Sequence, residues 1–310
     1  MEQTAVEKKF GKYVMASMIT MFLQSAYSMI DGLFVSNLIG DTALSAVNVA
    51  WPIIAVVTAI GTGVGCGGAV MMSTKQGEGK NEESNIVRAN VILALLASSI
   101  VVTILFLILL TPLLKLMGAE GELLRLSQIY GRVMLTGGVL QILSCGLTPL
   151  LRNDNRAVSA MMIMVGGLFA NLGLDFVFMY VFHMGIGGAA GASLCAQLFT
   201  TVCCLMILCT KKTDPIHLSQ FMIRKEYWKK IFKTAVSPFG ISLTPSLLIL
   251  YHNVACLKFG GDLAVNAYAL ISSTVGSYRV LLIGVAEGIQ PLASYAYGAH
   301  DFHAIRKIRN

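Results

Sequence analysis

Charged side chains are scarce in this sequence, making up 13% of its 310 residues against 55% that are hydrophobic. A soluble domain carries about twice that share of charge, because its surface has to face water. Short amphipathic stripes of the kind that line a soluble core are missing too. The apolar residues come in long unbroken runs, with a mean hydropathy of +0.72. Runs of about 20 such residues cross a bilayer as helices. Lipid offers no partners for open backbone groups, so helices are the natural element. The composition therefore describes an all-α integral membrane protein.

Other absences bear on function. The apolar run after Lys12 has no convincing small-residue cleavage site and is too long for a signal-peptide core, so it reads as a membrane helix. Cys66, Cys145, Cys195, Cys203, Cys204, Cys209 and Cys256 lie in apolar stretches without metal-ligand spacing, and read as packing thiols. A membrane enzyme would need a cluster of acids, histidines or a nucleophile. His183, His217, His252, His300 and His303 are instead scattered, and neither a P-loop nor an acidic metal motif is present. No enzymatic activity and no cofactor are expected. The net charge of +7 would suggest nucleic acid only if the basic residues shared a soluble face, and here they sit between hydrophobic runs.

Eight membrane helices are expected, at about 14–37, 45–72, 87–112, 124–150, 157–182, 187–210, 234–259 and 265–296. One set of connections carries Lys8, Lys9 and Lys12, then Lys75, Lys80 and Arg88, then Arg152 and Arg156. The same set continues through Lys211, Lys212, Arg224, Lys225, Lys229, Lys230 and Lys233 to Arg306, Lys307 and Arg309. The alternate connections hold only Lys115, Arg125 and Lys258. Eighteen basic residues against three place both ends in the cytoplasm by the positive-inside rule. Residues 211–233 form the longest polar connection and read as an interfacial basic helix joining two lobes.

Shifting the chain by 221 residues aligns 31–88 with 252–309 without gaps and gives ten identities in 58 pairs. Gly40-Asp41 falls on Gly261-Asp262, Gly63-Val64 on Gly284-Val285, Gly67 on Gly288, Ser73 on Ser294 and Gly77 on Gly298. The shift spans an even number of helices, so the units share one orientation, as in transporters with parallel repeats. The first unit, 1–210, holds six helices and the second, 234–310, only its first two. On this reading the chain is a truncated product, a fragment, or half of something whose other helices are supplied elsewhere, and it lacks four helices.

Four segments resemble the multidrug and toxic compound extrusion (MATE) family. The first is Tyr27-Ser-Met-Ile-Asp31-Gly-Leu-Phe-Val35, followed by Gly40-Asp-Thr-Ala-Leu-Ser-Ala46 and Pro52. The second comprises Gly61-Thr-Gly63 and Gly77-Glu-Gly79-Lys80. The third runs from Leu151-Arg-Asn-Asp154 through Asn171-Leu-Gly-Leu-Asp175 to Gly185-Ile-Gly-Gly-Ala-Ala-Gly-Ala-Ser193 and Gln197. The fourth is Gly288-Ile-Gln-Pro291 with Ser294-Tyr-Ala-Tyr-Gly298. The resemblance is to the bacterial branch of small multidrug exporters. It implies two six-helix bundles around a central cavity that faces the two sides of the inner membrane in turn, with Na⁺ or H⁺ entry driving export of amphipathic, cationic drugs. The bilayer and the drug would be its partners, with no obligate protein partner.

On physical grounds alone, Asp31, late in the first helix, and the pair Asn171 and Asp175 in the fifth stand out. The pair is spaced i, i+4, so the two residues share one helix face. A carboxylate at bilayer depth costs several kcal/mol unless it is paired, protonated or bound to a cation. Two carboxylates and an amide would offer hard oxygen ligands to Na⁺, or would hold a proton between them. The alternative reading is that these acids only hydrogen-bond neighbouring helices or sit near the outer interface. The resemblance adds that Asp31, Asn171 and Asp175 fall on the N-lobe cation site, and that Ser193 falls where relatives often carry Thr. Glu287 and Arg279 lie eight residues apart, near one helix face, and read either as an ion pair or as cavity charges. Residues 237–253 contain no acid, unlike family members with a coupling carboxylate there, and Ala16 stands where the family often has a bending proline. A flippase for lipid-linked or polysaccharide cargo, of the same superfamily, is the nearest rival function. An inert fragment is another.

Overall fold

In the computed structural model, residues 3–210 and 220–309 are described, without the side chains of 3–9, 27–29, 33 and 309 and of most positions between 249 and 277. Among the described residues every element is a helix: α1 Gln3–Leu38, α2 Asp41–Gly77, α3 Asn81–Leu116, α4 Gly121–Thr136, α5 Gly138–Leu151, α6 Ala157–Asp175, α7 Gly185–Cys209, α8 Lys225–Gly298 and α9 Phe302–Arg309. Five described stretches are long and apolar enough to cross a membrane, namely Phe10–Leu38, Asp41–Gly77, Asn81–Leu116, Gly138–Val181 and Gly185–Cys209. The other expected passes depart from simple spans in instructive ways.

The fourth pass is α4 and α5, interrupted at Gly137. Gln141 compensates the break, its Nε2 donating to the Met134 carbonyl at 2.6 Å. The stretch Gly138–Val181 contains two passes, because α5 and α6 are joined by the π-helical turn Arg152–Arg156. Asn155 in that turn has φ 63°, a left-handed conformation that short amide side chains tolerate far better than branched ones. A second π-helical stretch, Phe176–Val181, continues α6. α1 runs unbroken through Ala16, as expected where no proline interrupts it.

α8 corrects one expectation. It is helical over 74 residues, which would be about 110 Å long if straight. Yet the rings of His252 and Tyr268 stack with centroids 4.9 Å apart, so the chain reverses between them. Both expected segments are helical, and helical backbone approaches the reversal from both sides where a loop at 260–264 was expected. The basic segment Lys225–Lys233 forms the first turns of α8 and no separate interfacial helix. The remainder of the expected linker, 211–219, lies outside the described residues.

The repeat is written in the packing. The backbone of Gly63 meets Phe239 and that of Gly67 meets Ala235. With 221 added to one partner and subtracted from the other, the same contacts recur: Gly284 meets Met18, and Gly288 meets Val14. Likewise Gly77 packs on Tyr295 while Gly298 packs on Thr74. A contact in which i touches j′ and j touches i′ is isologous, the signature of a two-fold axis. The first pass of α8 is thus the counterpart of α1, its second pass the counterpart of α2, and α9 that of the first turns of α3. These contacts gather near the end of the molecule that carries Arg152. Farther along α8, Tyr251, Phe259, Ile271, Val275, Tyr278 and Leu282 are exposed.

α2 is the central helix, packed on α3, α5 and both passes of α8. Its glycines let it approach α5 backbone to backbone, Gly61 against Ile142 and Gly65 against Gly146. Gly65→Val should force these helices apart and cost about 1–3 kcal/mol of overpacking strain. Thermal unfolding in detergent should show a lower midpoint, and an unchanged one would mean that α2 and α5 are not in contact here.

Candidate functional site

Asp175 ends α6 where the helix passes into its π-helical continuation. Its side chain is fully buried, and neither carboxylate oxygen has a hydrogen-bond partner. Asn171, one turn earlier on the same face, is 4% exposed, with its Nδ2 unpartnered. Asp31 of α1 is half-buried with Oδ1 unpartnered. Its carboxyl stands within hydrogen-bond reach of that of Asp175. Two ionised carboxylates are both acceptors, so such a contact holds only if a proton or a cation lies between them.

Tyr130 of α4 lies within electrostatic reach of both acids and is 6% exposed. Sequence reasoning missed it. The signal was there in the buried face formed by Ser127, Tyr130, Gly131 and Met134, where a phenol hydroxyl interrupts an apolar stripe. Ser193 of α7 is half-buried, and no described contact joins it to the acids. One turn along α7, Gln197 has a buried Oε1 without a partner. Of the four expected residues, then, Asp31 and Asp175 meet, Asn171 shares the face of Asp175, and Ser193 makes no described contact with them. Among the described residues no group of three or more His, Cys, Asp and Glu side chains forms a metal cluster. The oxygen set on offer is two carboxylates and one carboxamide, suited to a hard monovalent cation or a proton.

A second polar cluster lies where α8 meets the first bundle. Glu287 is paired with Arg152, Nη1 to Oε2 at 2.5 Å, and not with Arg279, which is exposed. An Arg279–Glu287 pair was one of the two readings of the i, i+8 spacing; the partner of Glu287 comes instead from another helix, 135 residues away. Arg88 and Arg152, read from sequence as loop charges, are both buried. Arg88 lies inside α3 and pairs with Asp154 at 3.0 Å, with both side chains at 0% exposure. Gln76 donates to the same carboxylate at 2.9 Å, and Tyr13 donates to Asn155 at 2.6 Å. The short turn Arg152–Arg156 thus ties together α1, α2, α3 and α8. By contrast, the α2–α3 turn carries an exposed network in which Lys75 and Lys80 hold the Glu78 carboxyl down to about 2. Pairs so exposed contribute little to stability.

The MatE family profile matches residues 16–177, which contain Asp31, Asn171, Asp175 and the Arg152–Arg156 turn. The chain belongs to the MatE family. The multidrug export protein MepA of Staphylococcus saprophyticus is 24% identical over 298 residues, covering 96% of this chain and 66% of its own length. MepA of Staphylococcus aureus strain N315 is 24% identical over 305 residues with the same coverage. This MatE chain therefore spans slightly less than two thirds of those relatives. Among solved structures, a MOP superfamily transporter from Pyrococcus furiosus, described as having a binding pocket of reverse polarity, superposes with a TM-score of 0.91 at 26% identity. It covers 98% of this chain and 67% of that one. A proline-to-alanine mutant of a MATE protein superposes with a TM-score of 0.92 at 26% identity, over 98% and 68% of the two chains. A multidrug resistance MATE family transporter in an outward-facing conformation gives 0.91 at 26% identity, over 98% and 67%.

Proposed function

We propose that this MatE chain belongs to an exporter of amphipathic, cationic drugs, driven by Na⁺ or H⁺ moving inward through alternating access. In this reading residues 1–210 and 234–310 belong to two lobes joined by 211–233. The protein sits in a bacterial inner membrane with both ends of the chain in the cytoplasm. Asp31 and Asp175 carry the coupling, with Asn171 as a further oxygen ligand and Ser193 joining only if the cavity rearranges. The observation that carries the reading is Asp175, fully buried with both carboxylate oxygens unpartnered and facing Asp31. An acid so placed is stable only when neutralised, so cation arrival or departure changes the charge of the cavity wall and biases one lobe arrangement over the other.

The test is efflux of a fluorescent lipophilic cation from exporter-deficient cells expressing the complete gene. Collapse of the proton gradient, or replacement of external Na⁺, should stop efflux at once. Efflux that survives the loss of both gradients would rule out cation coupling.

A further inference from the structure

We infer that Arg152 and Glu287 form the polar lock that closes the basic end of the molecule, and that the turn Arg152–Arg156 is its mounting. The pair is the ion pair described between the first bundle and α8. Its exposure is low, at 7% and 23% for the two side chains, and it borders a small cleft lined by Ala16, Ser17, Thr20, Met161 and Met164. Among the described residues no other charged side chain lines that cleft.

Two further observations separate a lock from an ordinary structural pair. First, the two-fold relation places Cys66 as the counterpart of Glu287, and Cys66 lies within electrostatic reach of both members of the pair. The fold accommodates a neutral thiol at one of the two equivalent positions, so a carboxylate at the other is not a requirement of the packing. Second, Arg152 is held by a turn whose described hydrogen bonds reach into the first bundle: Asp154 accepts from Arg88 and Gln76, and Asn155 accepts from Tyr13. A rigidly mounted guanidinium meeting a single carboxylate on the moving partner is the arrangement of a latch. When the lobes part at this end, Arg152 keeps its mounting and loses Glu287, and both charges then face the water-filled cavity. The pair therefore favours the conformation closed at the basic end.

The lock rests on the two-sided transporter reading above, but its test requires no gradient and no drug. In protein from the complete gene with the other native cysteines replaced, Cys66 remains as the reporter thiol. A membrane-impermeant maleimide is applied from the side of the basic end. Arg152→Gln and Glu287→Gln should each raise the labelling rate at least about fivefold, the lower end of typical coupling between conformational states. Arg152→Lys should stay near the parent, and Arg152→Glu combined with Glu287→Arg should restore protection. Gel filtration confirms that each variant is folded. Unchanged labelling in both neutral variants overturns the lock. So do shifts of opposite sign, which would mark a mere electrostatic effect on the thiol, and a charge swap that leaves Cys66 open. Loss of coupling at Asp31 and Asp175 would leave this readout untouched.

Discussion

Asp175→Asn should reduce drug efflux to the level of cells that lack the protein, while the amount of protein in the membrane stays unchanged. Asparagine preserves volume and can still accept hydrogen bonds at one oxygen, so packing around this fully buried position is kept. What it removes is the ability to bind and release a proton, together with half of the negative charge available to a cation. Asp31→Asn should do the same, since the two carboxyls meet. Because they act as one unit, the double variant should be no worse than either single one. Asp41→Asn, at the exposed start of α2, serves as the control and should export normally. Efflux assays paired with quantification of membrane-inserted protein separate the outcomes. Substantial export by Asp175→Asn would move the coupling step to other residues.

The second large effect concerns stability. Arg88→Met should destabilise the folded protein by about 3–5 kcal/mol, the usual cost of removing one member of a buried ion pair. The carboxylate of Asp154 would keep Gln76 and the partly exposed Arg156 at 4.0 Å, but lose its fully buried counter-charge. Adding Asp154→Asn should recover much of the loss, because two neutral groups replace two buried charges. Arg88→Lys should fall between, since an ammonium lacks the guanidinium fork. Thermal unfolding followed by the monodisperse fraction on gel filtration measures all three. Equal stability of Arg88→Met and the parent would show that the pair carries no net weight.

The membrane passes were legible because a 20-residue apolar run is a strong physical signal, and the repeat was legible because close helix contacts enforce small residues. Gly63, Gly67 and Gly77 survive in register with Gly284, Gly288 and Gly298 because a side chain at any of them would collide with a neighbouring helix. The Asp31–Asp175 meeting was foreseeable from the cost of acids at depth. What escaped sequence reasoning were pairings between distant segments. Arg88 and Arg152 lie near helix ends, where counting loop charges treats them as solvated, and only the fold brings Asp154 and Glu287 to them. Tyr130 was hidden by its apolar surroundings. The continuation of helix toward the reversal in α8 was unreadable, since paired glycines normally argue for a loop.

The reciprocal contacts have an ancestral meaning. A surface that binds its own copy needs to be invented only once, so a single six-pass unit pairing with a second copy of itself would already have possessed the Gly63–Phe239 and Gly67–Ala235 contacts, each made twice. Fusing two such genes frees the halves to diverge. The position held by Cys66 on one side and Glu287 on the other is where the two halves differ: one carries a neutral thiol and its twin a charge.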